Sequence, residues 1–347
     1  RRFIETQNFE GINVKIINIL IDNKHSIPRR ILTFILYAFF SSYYALKLPA
    51  DVVIASSGPI TVGLPGLVAH YFRKRKLVFE VRDLWPHGAI ELGIIKNKFV
   101  IKLSYWFEKK IYKASSLIVC LSPGMKDFIT SRFGYSNVIS ITNGANIALF
   151  SKPQLPIILP ELGNRKYAIY TGNIGKVNDS DLLLETAKEL RRLSREDIVI
   201  LLIGDGQLYN DLLNKAKILK LNNFIIHKLM PKTELISLVQ NAIASIVPLF
   251  NTPILETSSP NKFFESVAAG VPVIQNTSGW MKKFLEENQI GFTIEPGNAV
   301  QLAELLIKLA DNPEINKSIK SRAIKVAEEN FDKNKLAARM LKALSEI

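Results

Sequence analysis

From residue 51 the sequence alternates between short apolar runs and longer amphipathic stretches, and this alternation limits the folds open to it. "DVVIASS" precedes "TVGLPGLVAHYFRKR". "KLVFEVR", a helical pattern around 98–113, "SSLIVCLS", "GMKDFITSRF" and "NVISIT" follow. The short runs are apolar at consecutive positions, not at every second one. A strand covered on both faces reads that way, which points to parallel strands flanked by helices. The stretch "NGANIALFSKPQLPIILPELGNRK" then breaks the pattern with prolines and glycines, and an interdomain linker is placed at about 146–165. The pattern restarts with "YAIYTG", "DSDLLLETAKELRRL", "DIVILLIG", "QLYNDLLNKAKIL", "NFIIHKL", "KTELISLVQNA" and "IASIVPLF". "SSPNKFFESVAAGVPVI", "GWMKKFLEEN" and "GFTIEPG" come next, and helical segments close the chain from 298 to 347. The fold class is α/β, with two Rossmann-like domains over 1–150 and 165–330. The helix 331–347 is expected to pack back toward the first domain. Ligands are expected in a cleft between the domains, at the carboxyl ends of the strands.

The length of 347 residues accommodates two such domains. A single cysteine rules out an internal disulfide. Cys120, inside "SSLIVCLS", reads as a buried strand residue and fits a reducing, cytoplasmic compartment. The net charge is +14, and its positive groups are scattered, with local clusters at "RRF" at the start, "RKRK" at 73–76 and the stretch 96–113. It suits a nucleic acid, an anionic membrane surface or an anionic substrate. No helix-turn-helix, zinc-finger or RNA-binding aromatic signature is present, so no nucleic-acid partner is expected. "ILTFILYAFFSSYYALKL", 31–48, is borderline in length for a membrane span and is diluted by Ser41, Ser42, Tyr43 and Tyr44. It is read as a helix partly buried and partly lying in a membrane interface. The first recognisable strand is "NVKIINILI", 13–21, and no signal peptide is recognised.

Two stretches carry candidate chemistry. In "YTGNIGK", 170–176, Gly172 and Gly175 let a backbone approach a ligand closely, and the following helix offers N–H groups to a phosphate. A tight strand–helix turn reads the same way, and the spacing is not that of the G-x-G-x-x-G fingerprint. "IGDGQ", 203–207, is a second such turn and is read as structural. In "SSPNKFFESVAAG", Ser259 is expected to cap a helix with Pro260 in its first turn, ending at Gly270. The helix is expected to be too short for a good core element. Lys262 and Glu265 share one face, as a solvated ion pair or as a site. In a site, the carboxylate accepts bonds from vicinal hydroxyls, while the lysine and the helix N-terminus meet phosphate. The tandem α/β context favours the site.

These residues give the chain a familiar look. With "DVVIASSGP", "VFEVRDLWPHGAIELG", "LSPGMKDFI", "ITNGAN", "YTGNIG", "VPLF", "SSPNKFFESVAAGVPVI" and "GFTIEPGN", it resembles the family 4 glycosyltransferases of the GT-B fold. Among these it is most similar to the bacterial L-fucosamine transferases of O-antigen and capsule assembly. The resemblance implies a UDP-sugar donor, a lipid-linked saccharide acceptor, and retention of donor stereochemistry. It implies that Glu265 binds the donor ribose, that Lys262 and Ser259 lie at the diphosphate, and that Gly172, Asn173 and Gly175 face the donor phosphates. His227, Lys228 and Met230 would hold the base, largely through backbone groups. In "FEVRDLWP", Asp83 with Arg82 is the candidate acid or orienting group near the acceptor hydroxyl. Glu80 and a solvated His87 are weaker candidates, and Trp85 would stack on a sugar or pack between domains. No Asp-x-Asp metal motif is assigned and no metal or other cofactor is expected. The protein is expected at the inner face of the plasma membrane, docked by helix 31–48 and the basic clusters.

Two departures from the family stand out. Thr257 occupies the place of the family's first glutamate, with Glu256 one residue away. The family's N-terminal glycine loop is not found, and the sequence is expected to begin after it. The alternatives are a nucleotide-sugar epimerase of the same fold and a non-catalytic nucleotide-sugar-binding subunit.

Overall fold

The computed structural model describes residues 3–20, 26–157 and 159–347. Arg1 and Arg2 of the basic "RRF" start, and residue 21 of the expected strand 13–21, lie outside them. The chain divides into two compact units, 1–141 with 344–347, and 142–343.

The first unit opens with an antiparallel hairpin, β1 (Ile4–Phe9) and β2 (Ile12–Ile17), in which Phe9 pairs with Ile12. Glu10 and Gly11 form its turn, both with positive φ, as a two-residue loop matched to strand twist requires. The strand expected at 13–21 is thus half of a hairpin outside the main sheet, and its partner was not foreseen. The main sheet is parallel, with β3 (Val52–Ser56), β4 (Lys76–Val81), β5 (Ser115–Cys120) and β6 (Val138–Ser140) in sequential order. Cys120 is buried in β5, as its apolar run implies, and burial pushes its thiol up to about 12. Side chains set the helix starts. Asn97 accepts from the amides of Phe99 and Val100 to begin Lys98–Ala114, and Ser122 accepts from Met125 to begin Pro123–Phe133.

The second unit holds β7 (Lys166–Asn173), β8 (Ile198–Asp205), β9 (Phe224–His227), β10 (Ala244–Val247), β11 (Val273–Gln275) and β12 (Gly291–Thr293). All pairings are parallel, in the order β12-β11-β10-β7-β8-β9. This is the doubly wound order, and its switch point falls between β7 and β10. Tyr167 and Ile169 of β7 enter one core, while Ala168 and Tyr170 enter the core on the opposite face. That two-sided burial is why the strand reads as a continuous apolar run.

The stretch 146–165 is not a free linker. Its backbone is tied to the helix Lys232–Gln240: Gln154 N donates to Gln240 Oε1 (3.0 Å), and Ile157 N donates to Ser237 Oγ (3.1 Å). The division of the chain falls earlier, after Ile141.

The helix Asn261–Ala268 also departs from expectation. Despite its eight residues it is a core element, with Phe263, Phe264, Val267 and Ala268 fully buried. Phe264 packs against Phe331 (ring centroids 4.8 Å apart) and Phe263 against Trp280 (5.3 Å). Two adjacent phenylalanines supply the area that length does not.

β7 and β8 meet at Gly172 and Gly204, which are in register. A Cβ on Gly204 would overlap the Gly172 carbonyl oxygen, and one on Gly206 would overlap that of Ile174. Gly204→Ala is therefore expected to cost more than about 3 kcal/mol, at or beyond the upper end of ordinary overpacking, because backbone cannot give way as a side chain can. Urea unfolding measures this; a loss below about 1 kcal/mol would contradict the close pairing.

Candidate functional site

Carboxyl ends of strands at a switch point are where doubly wound sheets bind ligands. Here β7 ends in Gly172 and Asn173, and the chain leaving β10 leads through residues 248–260 into the helix Asn261–Ala268. Gly172 has φ +118°, a conformation that favours glycine, and a Cβ there would lie 3.6 Å from Lys262 Cε. The bare glycine leaves the lysine stem room beside the strand end.

Lys262 does not pair with Glu265. Its Nζ donates to Asn178 Oδ1 (3.1 Å) and lies 3.9 Å from the centroid of the Tyr170 ring. It forms no ion pair among the described residues. Burial lowers its pKa to about 7. Glu265, one turn on, accepts instead from Lys232 Nζ (2.9 Å), whose ammonium lies 5.2 Å from the Phe150 ring centroid. The helix thus directs a desolvated cation one way and a paired carboxylate another. Lys232 was not singled out in the sequence, since nothing in the spacing links residues 232 and 265.

The helix start also differs. Pro260 stands at the N-cap and no side chain caps the helix. Ser259 Oγ is buried and has no hydrogen-bond partner among the described residues, while its carbonyl accepts from Asn143 Nδ2 (3.0 Å). An uncapped helix N-terminus with a buried unpaired hydroxyl beside it is a donor set short of an acceptor.

The glycine turn is less open than expected. Gly175 N donates to Ser180 Oγ (3.0 Å) and Ile174 N to the Asp205 carbonyl (2.9 Å), so neither amide is left for a phosphate. A short 3-10 turn, Lys176–Asn178, separates the strand from the helix Ser180–Arg192. "IGDGQ" packs against this turn: Gly206 N donates to Asp205 Oδ1 (2.8 Å) and Leu208 N to the Ile174 carbonyl (3.1 Å).

Asp179-Ser180-Asp181 has Asp-x-Asp spacing, which the reading of the sequence passed over. Asp181 is paired with Lys215 (3.3 Å). Asp179 is half-buried, and burial with the nearby Asp181 charge raises its pKa to about 6. Among the described residues no group of three or more His, Cys, Asp or Glu side chains could hold a metal ion.

Of the remaining second-unit candidates, His227 ends the edge strand β9, and its Nε2 is bonded to Glu161 Oε1. Lys228 is exposed and Met230 packs partly into the core. Thr257 Oγ1 donates to the Ile254 carbonyl (2.8 Å), while Glu256 lines a small cavity with Thr252, Asn276 and Thr277.

In the first unit, Glu80 accepts from Ser56 Oγ, and Arg82 N donates to Ser57 Oγ (2.9 Å), which secures the end of β4. Asp83 and Arg82 are both exposed and Trp85 is half-buried. Partial desolvation of the Asp83 carboxyl raises its pKa against the pull of Arg82. His87 is not a solvated loop residue. It begins the helix His87–Glu91, its Nε2 meets Arg132 Nη1 (3.1 Å) and its Nδ1 meets Tyr105 Oη (2.7 Å). A guanidinium only donates, so Nε2 accepts and Nδ1 carries the proton given to Tyr105. Burial and the Arg132 charge lower its pKa, which keeps the ring neutral.

The family described as "Glycosyl transferases group 1" matches residues 151–326. An uncharacterized glycosyltransferase of Methanocaldococcus jannaschii is 25% identical over 237 residues, 67% of this chain and 59% of that protein. The chain therefore spans less than two thirds of that relative. Sucrose-phosphate synthase of Thermosynechococcus elongatus superposes with a TM-score of 0.72 at 14% identity, covering 100% of this chain and 86% of its own. HepE of Anabaena, in complex with UDP and glucose, gives 0.70 at 14% identity, covering 91% and 82%. At such identities the likeness is one of fold.

The lowered Lys262 pKa makes stability depend on pH. Between about pH 7 and pH 10 the unfolded chain holds a proton on this lysine that the native chain lacks, so native stability rises with pH across that window. Below pH 7 the native state carries the buried charge. Lys262→Met is expected to stabilise the ligand-free protein at pH 6, with the gain shrinking by pH 9. Urea midpoints of both proteins check this, and a difference independent of pH would contradict it.

Proposed function

The chain belongs to the group 1 glycosyl transferases and has the GT-B fold, and on that premise we propose that it transfers a sugar from a UDP-sugar to a hydroxyl of a lipid-linked saccharide. The observation that carries this reading is the desolvated, unpaired Lys262 ammonium at the switch point. A diphosphate is the partner that such a cation, the uncapped helix N-terminus and the Ser259 hydroxyl together lack. UDP in HepE, a protein of like fold, supports the choice of nucleotide.

The donor's C1–O bond to the diphosphate breaks and its electron pair leaves with UDP. A new C1–O bond forms to the acceptor oxygen, with retention of configuration, and the proton of the acceptor hydroxyl leaves with the departing UDP. As charge grows on the leaving diphosphate, Lys262 and the helix N-terminus oppose it without reorganising. Glu265 takes the ribose hydroxyls, oriented by Lys232. Asp83 is assigned to the acceptor hydroxyl as acid or orienting group, and Arg82 accompanies it. The electrostatic work is given to these groups rather than to a metal.

The sugar is proposed to be an N-acetylated deoxyhexosamine, in surface-polysaccharide synthesis of the O-antigen or capsule kind, after the family 4 L-fucosamine transferases. The acceptor places the reaction at a cytoplasmic membrane surface. Helix Ile27–Lys47 supports docking there: Ile31, Leu32, Ile35, Leu36 and Phe39 are exposed, and among its described side chains only Thr33 and Ala38 are buried. No helix among the described residues is long and apolar enough to cross a membrane.

Glu265→Ala is expected to weaken UDP about tenfold or more, the worth of hydrogen bonds to a charged group. Calorimetric titration measures it, and unchanged affinity would remove the ribose assignment. Turnover of UDP-sugar is expected to persist in EDTA. Complete loss restored by a divalent ion would contradict the assignment of the electrostatic work to Lys262 and the helix N-terminus.

A further inference from the structure

Apart from the donor-side crevice, the first unit carries an open apolar cavity of about 280 Å³. Ile35 and Ala38 of the helix Ile27–Lys47, Leu64, and Leu103, Trp106 and Phe107 of the helix Lys98–Ala114 line it. On each helix an apolar stripe runs on from the cavity. Ile31, Ile35 and Phe39 follow one another at four-residue spacing and are 51%, 53% and 68% exposed. Phe99, Leu103 and Trp106 follow at spacings of four and three and are 74%, 51% and 56% exposed. Apolar stripes of this extent, converging on a cavity, mark an interaction site.

Charge selects the occupant. The second helix carries Lys98, Lys102, Lys109, Lys110 and Lys113, and Lys110 Nζ lies 5.9 Å from the Trp106 ring centroid. On the other helix, Arg30 stands beside Ile31 at the start of the apolar stripe, and its Nε is buried without a partner among the described residues. A second copy of this chain would set lysines against lysines. A hydrocarbon chain that ends in a phosphate satisfies both the apolar lining and the cationic rim.

We propose that this groove seats the hydrocarbon chain of a lipid-phosphate acceptor, with Arg30 and the helix 98–114 lysines at its phosphate. The proposal rests on the reading of the acceptor as lipid-linked, and adds a defined chain-binding site to mere adsorption on a membrane. An apolar cavity of about 150 Å³ holds a benzene ring, so this one takes about ten carbons of chain.

The test is a calorimetric titration with n-alkyl phosphates of six to fourteen carbons, each below its micelle-forming concentration. Kd is expected to fall about fourfold per methylene up to about ten carbons and then to level. Leu103→Asp and Ile35→Asp, both at exposed positions that leave the fold intact, should each weaken the ten-carbon ligand at least tenfold. A Kd independent of chain length, an unbroken fall through fourteen carbons, or insensitivity to both variants would overturn the proposal; the unbroken fall would indicate adsorption. UDP titrated into the same samples separates the two readings. UDP binding without the chain-length plateau overturns the groove alone, and the plateau without UDP binding overturns the donor assignment alone.

Discussion

A half-buried, desolvated ammonium with no carboxylate to meet it is the constraint on which the second unit's site depends. Unpaired charges are rarely buried, because the desolvation cost is not returned. Lys262 finds partial relief in Asn178 and the face of Tyr170, and its pKa still falls to about 7. The stem cannot readily swing away. Phe263 and Phe264, its neighbours in the helix, are locked among Trp280, Phe284 and Phe331. Gly172 leaves the stem space, and Gly204 lets β8 approach the backbone that provides it. Cores on both faces of the sheet therefore hold one costly electrostatic arrangement at its switch point.

Much of this was legible in the sequence. Consecutive apolar positions pointed to the parallel strands, and Gly172, Lys262 and Glu265 stood out because glycine at a strand end and charge at a helix start are local patterns. What stayed hidden was tertiary. Lys262 and Glu265 share a face by spacing, but Lys232 takes the carboxylate from 33 residues away. Gly175 looked free for phosphate, yet Ser180 takes its amide. Ser259 read as a cap, but the helix starts at Asn261 with the hydroxyl left over. The eight-residue helix looked too short for the core because length was counted and the volume of two phenylalanines was not.

The first unit shows the same limit. His87 read as a solvated loop residue, since its partners Tyr105 and Arg132 lie on two other helices. Its brace follows directly on the Asp83 loop, so the segment that carries the candidate acceptor group is anchored at its end. The helix Ile27–Lys47 shows the converse. It read as partly buried, and the fold leaves most of its described length at least partly exposed.

The central claim is that Lys262 is a desolvated cation held ready for a diphosphate. NMR titration of the Lys262 ε-methylene, with and without UDP, tests it most directly. A pKa near 7 in the free protein that rises when UDP binds is the predicted result. An ordinary lysine pKa in the free protein, or one that UDP leaves unmoved, would contradict the account.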